Sequence, residues 1–474
     1  MSSSLMSKFK AWIRAFPNLD WQSQAYYLAL LGWFLCLLIY RLHNSWSFNP
    51  YWGYDGGGHV DYLLSLAQHN RMPSIDTNYI AWHEPLYYLI YAGVAKLFLF
   101  FRPDLSYLFL LKMFGVLQAF LSVAVCVLAW RLISLFTKSR PAILATVFLV
   151  SLLPPMNQAS TFLTNELLNI FFVFLVSWFF LKHFVLSKKT DWRYFAGFGV
   201  IAGLALVTKI TAAVPLAVAF LVWAIDIIRR RDKKLLVRVL LALLIVVIIE
   251  LPWQIYRGSN VLGGFSINNT KFVTPAPLVL DARVGFYDWF DHDIFKFPYW
   301  TAGGRSFWSM LYADSFYDYY GTVQNQDLIN HLAQVNRAAL VRTTIKPNYV
   351  RHFDFRLTSI LIWLSLPMFA LLLLGLVRQF VEFFRARFFS RHAYALGVTW
   401  GLLAAAVYFS YRYPYPDLGT IKSIFIAPAY LFGYVYGLEY LAHKSVWLFR
   451  LAALVTFIYL VLIAANYWIP TYGY

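Results

Sequence analysis

Long apolar runs alternate with short polar segments along the chain, and most approach the ~20 residues that a helix needs to cross a ~30 Å hydrocarbon core. They predict spans at roughly 25–42, 108–130, 141–156, 166–182, 195–208, 210–228, 235–256, 357–377, 394–411, 420–441 and 447–467. The expected fold class is therefore all-α and polytopic, a membrane bundle of about 11 transmembrane helices. Two stretches break the rhythm. Residues 257–356, rich in Gly, Pro, aromatics and Asp, contain no spanning run; their length exceeds ordinary connections several-fold, so outer-face loops forming a mixed subdomain are expected there. Within them Leu328, Ile329, Leu332, Val335 and Leu340 recur near helical spacing, which predicts an amphipathic helix over 326–344, lying on the membrane or packed into the subdomain. The other stretch is the apolar run from Pro85 to Phe101, long enough to span.

Charge decides how that run is placed. The chain is 60% hydrophobic and 13% charged, which excludes a soluble fold. Its net charge of +18 would suit nucleic acid, but the basic residues fall in clusters between apolar runs, not along one soluble face. These clusters are Lys8/Lys10/Arg14, Arg131/Lys138/Arg140, Lys182/Lys188/Lys189/Arg193, Arg229 to Arg238, Arg378/Arg385/Arg387/Arg391 and Lys444. Few acids accompany them, so the positive-inside bias marks all six as cytoplasmic. If Pro85 to Phe101 crossed, every later cluster would lie outside. A re-entrant or interfacial helix is expected instead, within one outer loop system covering 43–107.

The same parity puts Tyr474 on the extracytoplasmic side. The chain then divides into an N-terminal transmembrane module, 1–256, an extracytoplasmic subdomain, 257–356, and C-terminal transmembrane helices, 357–474. No small-residue cleavage site follows the first run near His43 and Asn44, so that run is expected to be retained. Cys36 and Cys126, the only cysteines, lie inside apolar runs and supply neither a disulfide framework nor a cysteine metal site. The plasma (inner) membrane is the expected location, with membrane lipids as surroundings and no nucleic acid as partner.

Candidate chemistry gathers on the outer side. After the first span comes Tyr54-Asp55-Gly56-Gly57-Gly58-His59-Val60-Asp61, where three glycines allow positive φ and close approach to a ligand beside the Asp55 carboxylate. On composition alone, a flexible turn with two solvated acids accounts for it equally well. In Trp82-His83-Glu84-Pro85, the proline opens the non-crossing helix and Glu84 sits at its positive end. With Asp55, His83 and Glu84 would build an acidic, imidazole-containing cluster suited to proton transfer, a divalent cation being the less favoured use because the spacing matches no strong metal template. Glu166 follows Asn165 at the outer start of a span, after a short loop from Pro154 to Thr164; pairing with the helix dipole is its simplest use. Lys209 and Lys422 lie at depths that are costly unless the ammonium is paired or snorkels. Arg305, beside Gly303 and Gly304, is a surface arginine that could reach an anion.

This order of motifs resembles the GT-C superfamily of membrane glycosyltransferases, in particular the branch of protein O-mannosyltransferases and of the aminoarabinose transferases that modify lipid A. The resemblance runs from about Trp33 to Tyr436. Its most specific part is Tyr54-Asp55-Gly56-Gly57-Gly58-His59 followed by His83-Glu84-Pro85-Leu86-Tyr87-Tyr88. Weaker echoes are Asn165-Glu166, Gly203-Leu204-Ala205-Leu206 leading to Lys209, and Lys422 to Pro428. The resemblance implies that Asp55 is the catalytic base. Many members carry a second acid directly after it, where this chain has Gly56; His59, Asp61 and Glu84 are the alternatives for that role. It also implies an inverting transfer at the extracytoplasmic face, from a polyprenyl- or dolichyl-phosphate sugar to a hydroxyl of a glycan, lipid or protein acceptor; the sequence itself calls for no definite cofactor and leaves room for a divalent cation. Lys209, Lys422 and Arg305 would then bind the donor phosphate, and Trp289, Trp300 and Trp308 would stack on sugar or pack the subdomain. The rival readings are a transporter, which intramembrane charges also mark, and a membrane-embedded polysaccharide ligase or polymerase.

Overall fold

The computed structural model describes residues 17, 19–51, 53–78, 80–260, 290, 292–296, 298, 306–319, 352–386, 390–412 and 422–469. Arg305, Trp289, Trp300, the helix expected over 326–344 and Tyr474 lie outside the described residues. The described residues form helices and no strand. In chain order the α-helices are α1 (Trp21–Ser47), α2 (Gly56–His69), α3 (Leu86–Phe101), α4 (Tyr107–Ile133), α5 (Arg140–Leu152), α6 (Pro154–Thr161), α7 (Glu166–Phe179), α8 (Trp192–Leu206), α9 (Ala213–Arg230), α10 (Lys233–Asn260), α11 (Phe307–Phe316), α12 (His352–Arg385), α13 (Arg391–Arg412), α14 (Ala427–Lys444) and α15 (Val446–Asn466). This is the all-α polytopic class expected from the apolar runs. Each expected span coincides with a helix, but not every one is a full crossing. Nine helical segments among the described residues are long and apolar enough to cross a membrane, or ten if a bent pair counts as one.

The bent pair is α5 and α6, inclined by 53°. Pro154 and Pro155 carry no amide proton, so the hydrogen-bond ladder of α5 stops at Leu152 and a new helix starts. The short loop expected from Pro154 is thus largely the buried helix α6. Arg41 of α1, itself buried, holds the break by donating to the Ser151 carbonyl at 2.7 Å and to the Asn157 side chain. The other departure is α8, 15 residues that rise ~22 Å, short of the hydrocarbon thickness. It packs along α10, where Gly199 and Gly203 lie against Ala242 and Ile249.

The basic clusters and the candidate acids occupy opposite ends of the bundle. At one end Arg140 pairs with Asp20 at 3.7 Å, Arg391 donates to the Leu135 carbonyl, and Arg378 lies over the Tyr440 ring. At the other, Asn44 reaches the Tyr467 carbonyl at 2.9 Å, and Leu86 N–H donates to the Val207 carbonyl at 3.1 Å. Helix α3 starts from this second end, and α4 starts there too, because Lys112 in its second turn donates to the Phe48 carbonyl at 2.6 Å. Residues 86–101 therefore do not traverse the bundle, as charge parity requires. The most enclosed span is Ser423–Lys444, 78% of whose apolar window is buried. It begins at the second end, directly after Lys422.

Candidate functional site

Asp55 precedes α2 in the left-handed conformation (φ 57°), while Gly56, Gly57 and Gly58 form the first helical turn. This corrects the sequence-based expectation that the glycines themselves take positive φ. The glycine required for space is Gly56, where a Cβ would lie 2.7 Å from the Tyr51 carbonyl oxygen. The chain thus folds back tightly on residues 50–51 and presents the Asp55 carboxylate to Lys422, with Nζ to Oδ2 at 3.0 Å. Lys422 is also 4.6 Å from the Tyr54 ring centroid.

Two imidazoles stand behind this pair. His59, one turn along α2, shares a 2.7 Å hydrogen bond with the Tyr88 hydroxyl, and its ring meets that of His83 edge-on at 5.4 Å. Asn165 donates to His83 Nδ1 at 3.4 Å and to the Thr208 carbonyl at 3.2 Å. That places Asn165-Glu166 beside Lys209, whose ammonium pairs with the Glu166 carboxylate. Lys209 and Lys422 flank one ring, Phe425, at 5.0 and 5.9 Å from its centroid. Asp55, His59, His83, Glu166, Lys209 and Lys422, drawn from four separate parts of the sequence, therefore form one site.

Glu84 turns elsewhere. It pairs with Arg257 at the end of α10, at 3.8 Å, both side chains being 3% exposed. The cluster expected from Asp55, His83 and Glu84 is thus replaced by one in which His59 and His83 accompany Asp55. Among the described residues no group of three or more His, Cys, Asp or Glu side chains is arranged to hold a metal ion.

Burial raises the Asp55 carboxyl, but the Lys422 ammonium, His59, the hydrogen bond from Lys422 and His83 together outweigh it and hold the group well below the usual carboxylate range. Burial pushes His59 down, with Asp55 opposing and Lys209 and Lys422 reinforcing. It pushes His83 down as well, so both rings are neutral near pH 7. Glu84 is raised by burial to about 7 despite Arg257.

One cavity opens at Asp55, and a second lies beside the helix start that carries Lys422. The first, about 420 Å³, is polar and lined by Asp55, the helix-starting glycines, Asp61, Thr77 and Asn78. The other, about 1150 Å³, is almost wholly apolar and lies between α11, α12, α13 and α14. Its wall includes Leu311, Phe369, Trp400, Leu403 and Ile426, the last directly after Phe425. Trp308 lines this cavity too.

Sequence reasoning missed Asp314, which is buried in α11. Its Oδ1 accepts from the Tyr54 hydroxyl and from Gln158 Nε2, each at 3.0 Å; its Oδ2 accepts from the Ser423 amide at 2.7 Å. The available signal was a lone acid in the aromatic run Phe307-Trp308-Ser309-Met310-Leu311-Tyr312-Ala313-Asp314.

Residues 85–256 match the family model described as dolichyl-phosphate-mannose-protein mannosyltransferase. No curated protein sequence matches the chain significantly. In fold, the chain is similar to the crystal structure of the Archaeoglobus fulgidus oligosaccharyltransferase in its apo form, with a TM-score of 0.57 and 13% identity. That match covers 97% of this chain and 57% of the archaeal one, so the chain spans little more than half the length of that enzyme.

Proposed function

We infer that the chain is a membrane glycosyltransferase of the GT-C kind, which moves a sugar from a polyprenyl- or dolichyl-phosphate donor to an acceptor hydroxyl at the extracytoplasmic face; the family match over residues 85–256 and the likeness in fold to an oligosaccharyltransferase support this reading. One observation carries this reading: the Lys209–Phe425–Lys422 group touches Asp55 through Lys422, and the residue that follows Phe425 in the chain, Ile426, lines the apolar cavity. A lipid-phosphate sugar needs those three things together. Its chain needs apolar walls, its phosphate needs cations, and the incoming hydroxyl needs a base.

Asp55 accepts the proton of the acceptor hydroxyl as that oxygen bonds to the anomeric carbon. The bond from that carbon to the phosphate oxygen breaks, and its electron pair leaves with the phosphate. Lys422 and Lys209 stabilise the added negative charge next to apolar walls that keep the local dielectric low. Lys422 has two successive partners in this scheme. Once it turns to the phosphate, Asp55 loses its nearest cation and becomes more basic, so donor binding prepares the base. A single displacement of this kind inverts the anomeric carbon. The polar cavity beside Asp55 receives the acceptor.

Incubation of the purified protein with radiolabelled lipid-phosphate sugars and, in parallel, nucleotide sugars tests the donor class. Consumption of a lipid-phosphate sugar alone is the expected result. Consumption of a nucleotide sugar alone, or of neither class, overturns it.

A further inference from the structure

We propose that Asp314 is a positioning residue that sets the Lys422 ammonium against Asp55 and the donor phosphate; the proposal rests on the donor reading above. The carboxylate grips the two chain segments that carry the reacting pair, and in each case it grips the immediate neighbour. On the first loop it accepts from the hydroxyl of Tyr54, the residue before Asp55. At the start of the enclosed span it accepts from the amide of Ser423, the residue after Lys422. The Ser423 hydroxyl also donates to the Asp314 backbone carbonyl at 3.0 Å, so Ser423 is joined to Asp314 twice. Gln158 of α6 completes the set.

The Tyr54 ring does more than fill space, because Lys422 lies over it. Asp314 therefore fixes Lys422 from both sides, through its backbone at Ser423 and through the aromatic face beneath its ammonium. Burial raises the Asp314 carboxyl, and the donors from Ser423, Gln158 and Tyr54 work against that shift. A buried acid of this kind is costly unless its hydrogen bonds are made, and two of those made here end on the chain neighbours of Asp55 and Lys422. Asp314→Asn preserves an acceptor for Tyr54 and Gln158 but turns an amide N–H toward the Ser423 N–H, which releases the Lys422 end selectively. Tyr54→Phe releases the other end by deleting one hydroxyl.

The test is a double-variant cycle in lipid nanodiscs. Asp314→Asn, Tyr54→Phe and Lys422→Ala, and Lys422→Ala combined with each of the first two, are assayed with the lipid-phosphate sugar that the unaltered protein consumes. Asp314→Asn is expected to raise the donor KM about tenfold or more, the scale of a lost hydrogen bond to a charged group, and to move the acidic limb of the pH–rate profile upward. Tyr54→Phe gives a smaller change in the same direction, and it decides the matter if Asp314→Asn fails to fold. In the Lys422→Ala background neither change raises KM further, because both act through the missing ammonium. Additive increases in that background, or an unchanged KM in both single variants, overturn the proposal. If Lys422→Ala itself leaves the donor KM unchanged, the donor reading of Lys422 has failed, and the role of Asp314 falls with it.

Discussion

Asp55→Asn is expected to fold and melt close to the unaltered protein while turning over ~10²- to 10⁴-fold more slowly. The change keeps the size of the side chain, and asparagine is among the few residues that tolerate the left-handed conformation found at this position. Lys422 loses an ion partner. The Asp55 side chain is 40% exposed, however, so water can solvate the replacement amide, while Lys422, 11% exposed, keeps its contact with the Tyr54 ring. What disappears is the oxygen that takes the acceptor proton in the proposed mechanism. Glu84→Gln is the informative comparison. It weakens a pair with Arg257 that is shut away from water, so a lower melting temperature is expected. Turnover should persist in the folded fraction. If Glu84→Gln abolishes turnover while Asp55→Asn stays near normal, the base assignment moves to Glu84.

The second large effect concerns the two lysines, and pH separates them. Both Lys209→Ala and Lys422→Ala are expected to raise the donor KM, since a phosphate contact is charge-assisted and a merely snorkelling lysine loses little on truncation. Lys209→Ala also strands Glu166, 8% exposed, without its cation, and its melting temperature should fall further than that of Lys422→Ala. Lys422→Ala has its own signature. Lys422 is the strongest of the groups that hold the Asp55 carboxyl down, and burial, which pushes it up, remains after the lysine is gone. The folded-state pKa of Asp55 therefore rises, and the acidic limb of the pH–rate profile moves to higher pH. The groups that chiefly hold Asp55 down are Lys422, His59 and His83, so Lys209→Ala should move that limb less than Lys422→Ala does. Donor titrations across pH measure both effects; unchanged donor dependence in both variants would return the lysines to snorkelling.

Much of this architecture is legible in the sequence, because a membrane makes hydropathy and charge nearly sufficient. Basic clusters place one end of each helix, and parity alone keeps residues 86–101 from crossing. The convergence of Asp55, Glu166, Lys209 and Lys422 was also legible, since each polar residue lies at the end of an apolar run and the parity of spans brings those ends together. Side-chain direction was not. His83 and Glu84 are adjacent in sequence, yet one joins Asp55 and the other turns to Arg257, a choice set by Asn165 meeting His83 and by Arg257 at the end of α10 meeting Glu84. The Pro154-Pro155 pair marked a break, but whether a loop or a second helix follows depends on Arg41 reaching it from α1. Asp314 was invisible for a related reason: its bonds all go to residues more than a hundred positions away.

The most direct measurement supplies the protein with a lipid-phosphate sugar of known anomeric configuration and determines the configuration of the product by NMR, with Asp55→Asn alongside. A single displacement assisted by Asp55 predicts that label leaves the lipid phosphate and appears on the acceptor hydroxyl with the opposite configuration, and that the variant forms product at least ~100-fold more slowly. Retention of configuration, or equal product from Asp55→Asn, would contradict the account.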